Sequence, residues 1–157
     1  MTPRVVLASG SPRRRELLQE ISVHFETRIP DIDEFPVAGE MPVDYVRRLA
    51  KEKAEAITSE PDELVIAADT TVDVDFSILG KPVDALDAAS MLRRLSGRVH
   101  SVHTGVSLRC GDHQSTEVCS TSVTVVDLDD TTIDWYIGTG EPFGKAGAYA
   151  IQGAGAA

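Results

Sequence analysis

Apolar and polar positions alternate between two periods along this chain, and the changes of period mark out its elements. Val5-Val6-Leu7-Ala8 is a short apolar run that gives way to Ser9-Gly10-Ser11, after which Leu17, Leu18 and Ile21 fall on helical spacing. This predicts a strand, a tight loop and a helix, with Ser11 at the N-cap and Pro12 at the first helical position. Val23, Phe25, Thr27 and Ile29 alternate as a strand does, and Pro30-Asp31-Ile32-Asp33-Glu34 closes it. From Pro42 to about Thr58, Val43, Val46, Leu49, Ala50, Ala54 and Ile57 trace one face at three-to-four spacing, leaving Arg47, Lys51 and Glu55 outward. Glu60-Pro61-Asp62 breaks that helix. Leu64 to Ala68 reads as a buried strand that delivers Asp69 and Thr70 at its carboxyl end, with Val72, Val74 and Phe76 alternating beyond it. Leu79-Gly80-Lys81-Pro82 is a turn, and Asp84 and Asp87 bracket the first turn of a helix that runs to Leu95 and ends at Gly97. Residues 99–109 and 116–127 flank a Gly111-Asp112 turn as a hairpin, and a short helix follows at 129–137.

Helices separate the early strands while the later strands are hairpin-connected, so the expected class is α/β: a mixed twisted sheet with flanking helices, in one domain of two lobes. The length, 157 residues, suits a single domain over 1–157, and no internal repeat or linker interrupts it. With 42% hydrophobic and 25% charged residues the composition is that of a globular protein and argues against disorder. No apolar run approaches the ~18 residues of a membrane span, and the first residues lack a signal-peptide core, which predicts a cytoplasmic protein. Cys110 and Cys119 are too few for a disulfide framework and form no CxxC pair.

Charge narrows the partners. The net charge of −10, from 25 acids and 15 bases, disfavours broad attraction to nucleic acid or anionic lipid. Residues 1–60 nevertheless hold nine of the bases, gathered in Arg13-Arg14-Arg15 and in Arg47, Arg48, Lys51 and Lys53. Small basic clusters on an acidic protein suit a small polyanion bound beside a metal. Ser9-Gly10-Ser11, between a strand and a helix start, is a backbone cradle for phosphate. Arg13 and Arg14 oppose the helix dipole there unless an anion compensates them; the alternative is a solvated charge run. Asp69 lies where α/β sheets place ligand-binding residues, or else is a turn aspartate. Asp33 and Glu34 offer oxygens suited to Mg²⁺ or Mn²⁺, or are plain loop acids. Lys53 and Lys81 are surface cations by default. His24, His100, His103 and His113 show no zinc spacing and no legible serine or cysteine partner for a triad, and receive no role.

The chain carries a series of motifs: L-A-S-G-S-P-R-R at Leu7 to Arg14, I-D-E at Ile32 to Glu34, Y-V-x-R-L-A-x-x-K-A at Tyr45 to Ala54 and A-D-T-T-V at Ala68 to Val72. They continue with L-G-K-P at Leu79 to Pro82, M-L-R-x-L-S-G-R-x-H at Met91 to His100, T-G-V at Thr104 to Val106, G-E-P at Gly140 to Pro142, K-A-G-A-Y at Lys145 to Tyr149 and I-Q-G at Ile151 to Gly153. Taken together, these motifs resemble those of the Maf family, the septum-formation-inhibitor-like nucleoside triphosphate pyrophosphatases, and the resemblance spans the chain in family order.

It implies a fold similar to inosine triphosphate pyrophosphatases, with two lobes around a nucleotide cleft, and hydrolysis of a nucleoside triphosphate to monophosphate and pyrophosphate with Mg²⁺ or Mn²⁺. By the same resemblance Asp69 is the catalytic acid/base, Glu34 and Asp69 hold the metal, and Ser9, Arg13, Arg14, Lys53 and Lys81 contact the phosphates. Arg13, Thr70 and Gln152 are similar to the family branch that acts on dTTP and UTP rather than on 7-methyl-GTP. The implied task is removal of non-canonical or excess pyrimidine nucleotides, with a link to arrest of division, and similar proteins are commonly homodimers. The alternative is a nucleotide-binding regulator of septum formation with little turnover. Two departures stand out: Gly144 replaces the Asp usual before K-A-G-A-Y, and family members continue beyond I-Q-G through strands to a last helix. The second departure predicts a sheet edge with unpaired backbone and exposed apolar surface.

Overall fold

The computed structural model describes residues 2–157. Its elements are β1 (Arg4–Ala8), α1 (Pro12–Glu20), β2 (Phe25–Thr27), α2 (Pro42–Glu55), β3 (Glu63–Val74), β4 (Ser77–Leu79), α3 (Ala85–Leu95), β5 (Val99–Cys110), β6 (His113–Thr124) and α4 (Asp130–Gly138), with short 3₁₀ turns at Ala146–Ala148 and Gly153–Ala156. The strand order is β2-β1-β3-β5-β6, with β4 paired onto β3. β1 runs parallel to β2 and β3, and β4 runs antiparallel to β3, so the sheet is mixed as expected. The chain groups into two compact units, residues 1–69 with 104–119 and residues 70–103 with 120–157.

In the first unit the apolar face of α2 meets the parallel strands. Val6 and Ala8 of β1, Val65 and Ala67 of β3, and Ala54 and Ile57 form one buried cluster. Removing such side chains from water is the main favourable term in holding the layer together. β5 crosses α2 closely at Gly105, where a Cβ would overlap the Val46 carbonyl, so the T-G-V motif marks a helix-on-strand contact only glycine permits. Arg109 closes the end of α2 by donating from Nε to the Ala54 carbonyl at 3.0 Å and from Nη2 to the Ile57 carbonyl, groups that a helix C-terminus otherwise leaves unpaired.

Three local expectations are corrected. The strand expected from Val23 to Ile29 is only Phe25–Thr27: it pairs with Val5 to Leu7 of β1, and the Arg28 amide makes the last bond of that edge, to the Leu7 carbonyl at 3.0 Å. α1 buries none of its residues: Leu17 and Ile21 have helical spacing but stay exposed. Asp69 is not at the end of a strand. β3 runs on through Thr70, Thr71 and Val72, β-branched residues that suit a strand, and what ends near Asp69 is the partner strand β1, whose last register pair is Ala8 with Ala67.

In the second unit, Val72, Val74, Leu79 and Leu95 form one apolar cluster, and Ala88, Ala89, Leu92, Ile133, Tyr136 and Ala148 form another. Asp84 caps α3 by accepting from the Asp87 amide at 2.8 Å, while Asp87 Oδ2 accepts from the Val83 amide at 3.0 Å. Phe76 does not extend β3 as the alternation implied. It shares with Asp75 a two-residue hairpin turn into β4, at φ 54° and 60°. Gly144, in place of the family's Asp, sits at φ 78° with nothing within 4 Å of a Cβ built on it, so its conformation favours glycine while the space is open. His103 does have a serine partner, contrary to expectation: its Nδ1 lies 2.7 Å from Ser120 Oγ and its Nε2 3.0 Å from Asp73 Oδ2, which satisfies a buried imidazole across three strands.

Candidate active site

The first unit gathers Ser9, Arg14, Glu34, Lys53 and Asp69. The parallel pairing of β1 with β3 carries Ser9 just past the last ladder pair and leaves Asp69 two residues beyond it on the neighbouring strand. Asp69 is buried, at 6% exposure. Lys53 comes from the buried edge of α2 and donates from Nζ to Asp69 Oδ1 at 2.6 Å. The same ammonium lies 3.1 Å from Glu34 Oε2, so two carboxylates from separate parts of the chain converge on one cation. The helical spacing treated Lys53 as a surface cation; the structure buries it because Asp69 supplies the partner a buried ammonium requires.

Arg14 reaches the same strand segment from α1. Its Nη1 donates to the Ala68 carbonyl at 2.7 Å and to Ser9 Oγ at 3.4 Å, which fixes the guanidinium beside the loop. Ser11 occupies the N-cap of α1 with extended backbone and Pro12 follows it, as expected, but the Ser11 side chain makes no capping bond. The hydroxyl that organises the loop is that of Ser9, which accepts from the Ser11 amide at 3.1 Å. Arg13 is not in this group. It points outward and donates to Glu16 Oε2 at 3.1 Å, one helical turn on.

The electrostatics follow from burial. Removal from water pushes the Asp69 carboxyl above its ordinary value of 3.8, opposed by Lys53 and assisted by the negative charge of Glu34. Burial likewise lowers Arg14, with Asp69 and Glu34 pulling the other way, and a guanidinium so placed stays cationic. Tyr45, on α2, is held up to about 12 by burial first and then by the charges of Asp69 and Glu34. It is therefore a phenol at neutral pH and can only donate to the carbonyl it faces.

Glu34 and Asp69 supply the hard oxygen donors that Mg²⁺ or Mn²⁺ prefers, and they already share one cationic point. Among the described residues no group of three or more His, Cys, Asp or Glu side chains could hold an ion. Two protein carboxylates with substrate phosphates and water are a usual coordination for Mg²⁺, so the donor set fits such an ion in the presence of a polyphosphate. Thr70, Lys81 and Gln152 belong to the second unit: Thr70 follows Asp69 on β3 half-buried, Lys81 is exposed in the turn after β4, and Gln152 is exposed before the last 3₁₀ turn.

The fold is shared with a solved nucleoside-triphosphatase / dITP/XTP pyrophosphatase from Mycobacterium abscessus, with a TM-score of 0.50 and 16% identity over 80% of this chain and 75% of that one. The fold class is thus that of an α/β domain of this architecture. The chain belongs to the Maf-like protein family, whose description matches residues 4–157. Its relatives include proteins named dTTP/UTP pyrophosphatase from Anaeromyxobacter dehalogenans, 52% identical over 100% of this chain and 81% of the relative, and from Myxococcus xanthus, 53% identical over 96% and 77%. A third, of the same name, is from Symbiobacterium thermophilum, 46% identical over 98% of this chain and 80% of its own length. No helix among the described residues is long and apolar enough to cross a membrane.

Proposed function

We propose that this protein hydrolyses dTTP and UTP to the nucleoside monophosphate and pyrophosphate with the aid of Mg²⁺ or Mn²⁺. The observation that carries the reading is the buried Asp69 carboxylate held by Lys53 beside Glu34, at the end of a strand–loop–helix phosphate cradle. The choice of nucleotide rests on the relatives' name and on Arg13, Thr70 and Gln152.

Each side chain then has a task. Ser9 and the amides of its loop, with Arg14, receive phosphate oxygens at the positive end of α1. Asp69 takes a proton from the water that attacks the α–β anhydride, and its raised pKa makes it a stronger base than an exposed aspartate. Lys53 engages Oδ1 of Asp69 and so leaves Oδ2 for the attacking water or for the ion. Glu34 and Asp69 would hold the divalent ion, whose chemistry when bound is to neutralise charge building on the phosphates. Pyrophosphate leaves with the bridging oxygen's electrons, and the positive side chains around the cradle stabilise that charge. By resemblance to the family, Lys81 is a phosphate-contacting cation, and Arg13, Thr70 and Gln152 are the positions that bear on the choice of base.

Pyrophosphate release from dTTP and UTP, compared with CTP and 7-methyl-GTP, tests the reading. Turnover of dTTP and UTP that disappears in Asp69→Asn, while dTTP still binds, is the expected result. A clear preference for 7-methyl-GTP would remove the base assignment, and binding without turnover in the wild-type chain would favour a regulatory nucleotide binder.

A further inference from the structure

Glu34 lies in a long stretch without regular structure. From Arg28 to Met41 the chain forms no strand or helix and only a turn at Ala38-Gly39. A carboxylate on such a segment has no intrinsic reason to stay 3.1 Å from the Lys53 ammonium. Two side chains one turn apart on α2 provide that reason. Tyr45 donates its hydroxyl to the Glu34 carbonyl at 2.8 Å, and Arg48 donates from Nη2 to the next carbonyl, that of Phe35, at 3.2 Å.

Arg48 is itself held rigidly. Its Nε and Nη2 fork onto the two oxygens of Glu40 at 2.6 and 2.7 Å, Nη1 reaches Glu52 at 3.1 Å, and its guanidinium lies 5.7 Å from the centre of the Tyr45 ring. Glu40 in turn accepts from the Val37 amide at 3.0 Å, so the segment is fastened on both sides of Glu34's neighbour Phe35. Helix α2 therefore supplies Lys53 to the site and, through Tyr45 and Arg48, holds the backbone that presents Glu34 to it.

We propose that Tyr45 and Arg48 are positioning residues that fix the Glu34 carboxylate for divalent-cation binding. The proposal rests on the pyrophosphatase reading and on Glu34 as an ion ligand. Partners behind a metal ligand commonly alter ion affinity by about 10- to 100-fold when removed, which sets the scale expected here.

The test uses the full chain, with Mn²⁺ and a dTTP analogue whose α–β bridge is a methylene and is not hydrolysed. Bound Mn²⁺ is read by the enhancement of water proton relaxation in the ternary complex, against the Mn²⁺–analogue complex without protein. Tyr45→Phe keeps the ring and deletes one donor, and should weaken Mn²⁺ binding about 10-fold. It should also lower kcat by a similar factor at fixed sub-saturating Mg²⁺, leave KM for dTTP within about twofold and speed amide hydrogen exchange across residues 33–40. Arg48→Met should do the same, and Arg48→Lys should recover part of the loss because an ammonium can still reach one of the acceptors. Glu34→Gln serves as the reference. If Glu34→Gln weakens Mn²⁺ binding but Tyr45→Phe and Arg48→Met bind it as the wild type does, the positioning role is wrong even if their melting temperatures fall. If Glu34→Gln itself binds Mn²⁺ normally, the ligand assignment beneath the proposal fails first. Should Tyr45→Phe not fold, the comparison of Arg48→Lys with Arg48→Met decides: Mn²⁺ affinity restored by lysine supports the role, and equal affinity in the two overturns it.

Discussion

Strand β3 carries two buried acids six residues apart, Glu63 at 2% exposure and Asp69 at 6%, and they have opposite characters. Glu63 receives both ends of the Arg28 guanidinium, at 2.8 and 2.9 Å, with the Glu60 amide at 2.9 Å, and its pKa falls to about 2, chiefly through the Arg28 bonds. Asp69 receives one lysine bond, faces a second carboxylate and has its pKa raised by burial. The difference lies in how completely the charge is satisfied. A fork of donors with a backbone amide locks a carboxylate into its ionised form and leaves it nothing to do, whereas a buried carboxylate with an unspent oxygen remains able to take a proton or a metal.

The comparison is sharpest under substitution. Asp69→Asn should reduce turnover on the order of 10³-fold, the middle of the range for losing a general base, with dTTP binding retained. Its melting temperature should hold or rise, because a buried carboxylate with a raised pKa costs the native state stability when it ionises. Glu63→Gln should show the reverse pattern, turnover kept and melting temperature lowered by several degrees. Calorimetry and a pyrophosphate assay on the two variants check both statements, and a loss of activity in folded Glu63→Gln would break the contrast. Lys53→Met removes the ammonium that both site carboxylates share and should cost about 10²-fold in turnover through misplacement of Asp69. A milder loss than Asp69→Asn, with binding of dTTP intact, is the outcome to look for.

Acid titration separates the two carboxylates by stability alone, without an activity assay. Glu63 has a lower pKa in the folded chain, about 2, than its ordinary value of 4.5, so its contribution is complete above about 4.5 and is lost as pH falls toward 2. Asp69 contributes with the opposite sign, since the native state holds its proton more tightly. Melting curves from about pH 6 to about pH 2.5 should therefore fall less steeply for Glu63→Gln than for the wild type, and more steeply for Asp69→Asn. Parallel curves for all three proteins would show that neither carboxylate governs acid stability.

What the sequence disclosed depended on whether the signal was local. The loop after β1 followed by Pro12, the apolar face of α2 and the capping pair Asp84 and Asp87 are all legible because neighbours in the chain determine them. The Asp75-Phe76 turn was hidden because two non-glycine residues adopt positive φ there, without the Asn or Gly that usually announces such a hairpin. Asp69 was found through the apolar strand leading to it, but its burial against Lys53 is a tertiary fact that helical spacing cannot carry. The same holds for Tyr45, visible only as one letter of a motif until its hydroxyl is seen on the Glu34 carbonyl, and for His103, whose partner Ser120 arrives from β6. Helical spacing also overstated α1, where Leu17 and Ile21 stay exposed and Leu18 is only half-buried.

Arg13 gives the smallest effect and the finest test of the contrast between satisfied and available charge. Expected at the phosphates, it instead lies exposed on α1 with Glu16 at 3.1 Å and Glu20 at 4.0 Å. An exposed pair of this spacing contributes about 0.3–0.5 kcal/mol, so Arg13→Ala should leave the melting temperature unchanged within error. A guanidinium held so weakly is free to exchange Glu16 for a phosphate at little cost. If it does, Arg13→Ala raises KM for dTTP several-fold with kcat intact, the effect fades as salt screens it, and Glu16→Gln lowers KM slightly by releasing the arginine. Identical KM values for wild type and Arg13→Ala at low salt would instead mean that Arg13 stays with its glutamate, leaving Arg14 as the cation this helix gives to the site.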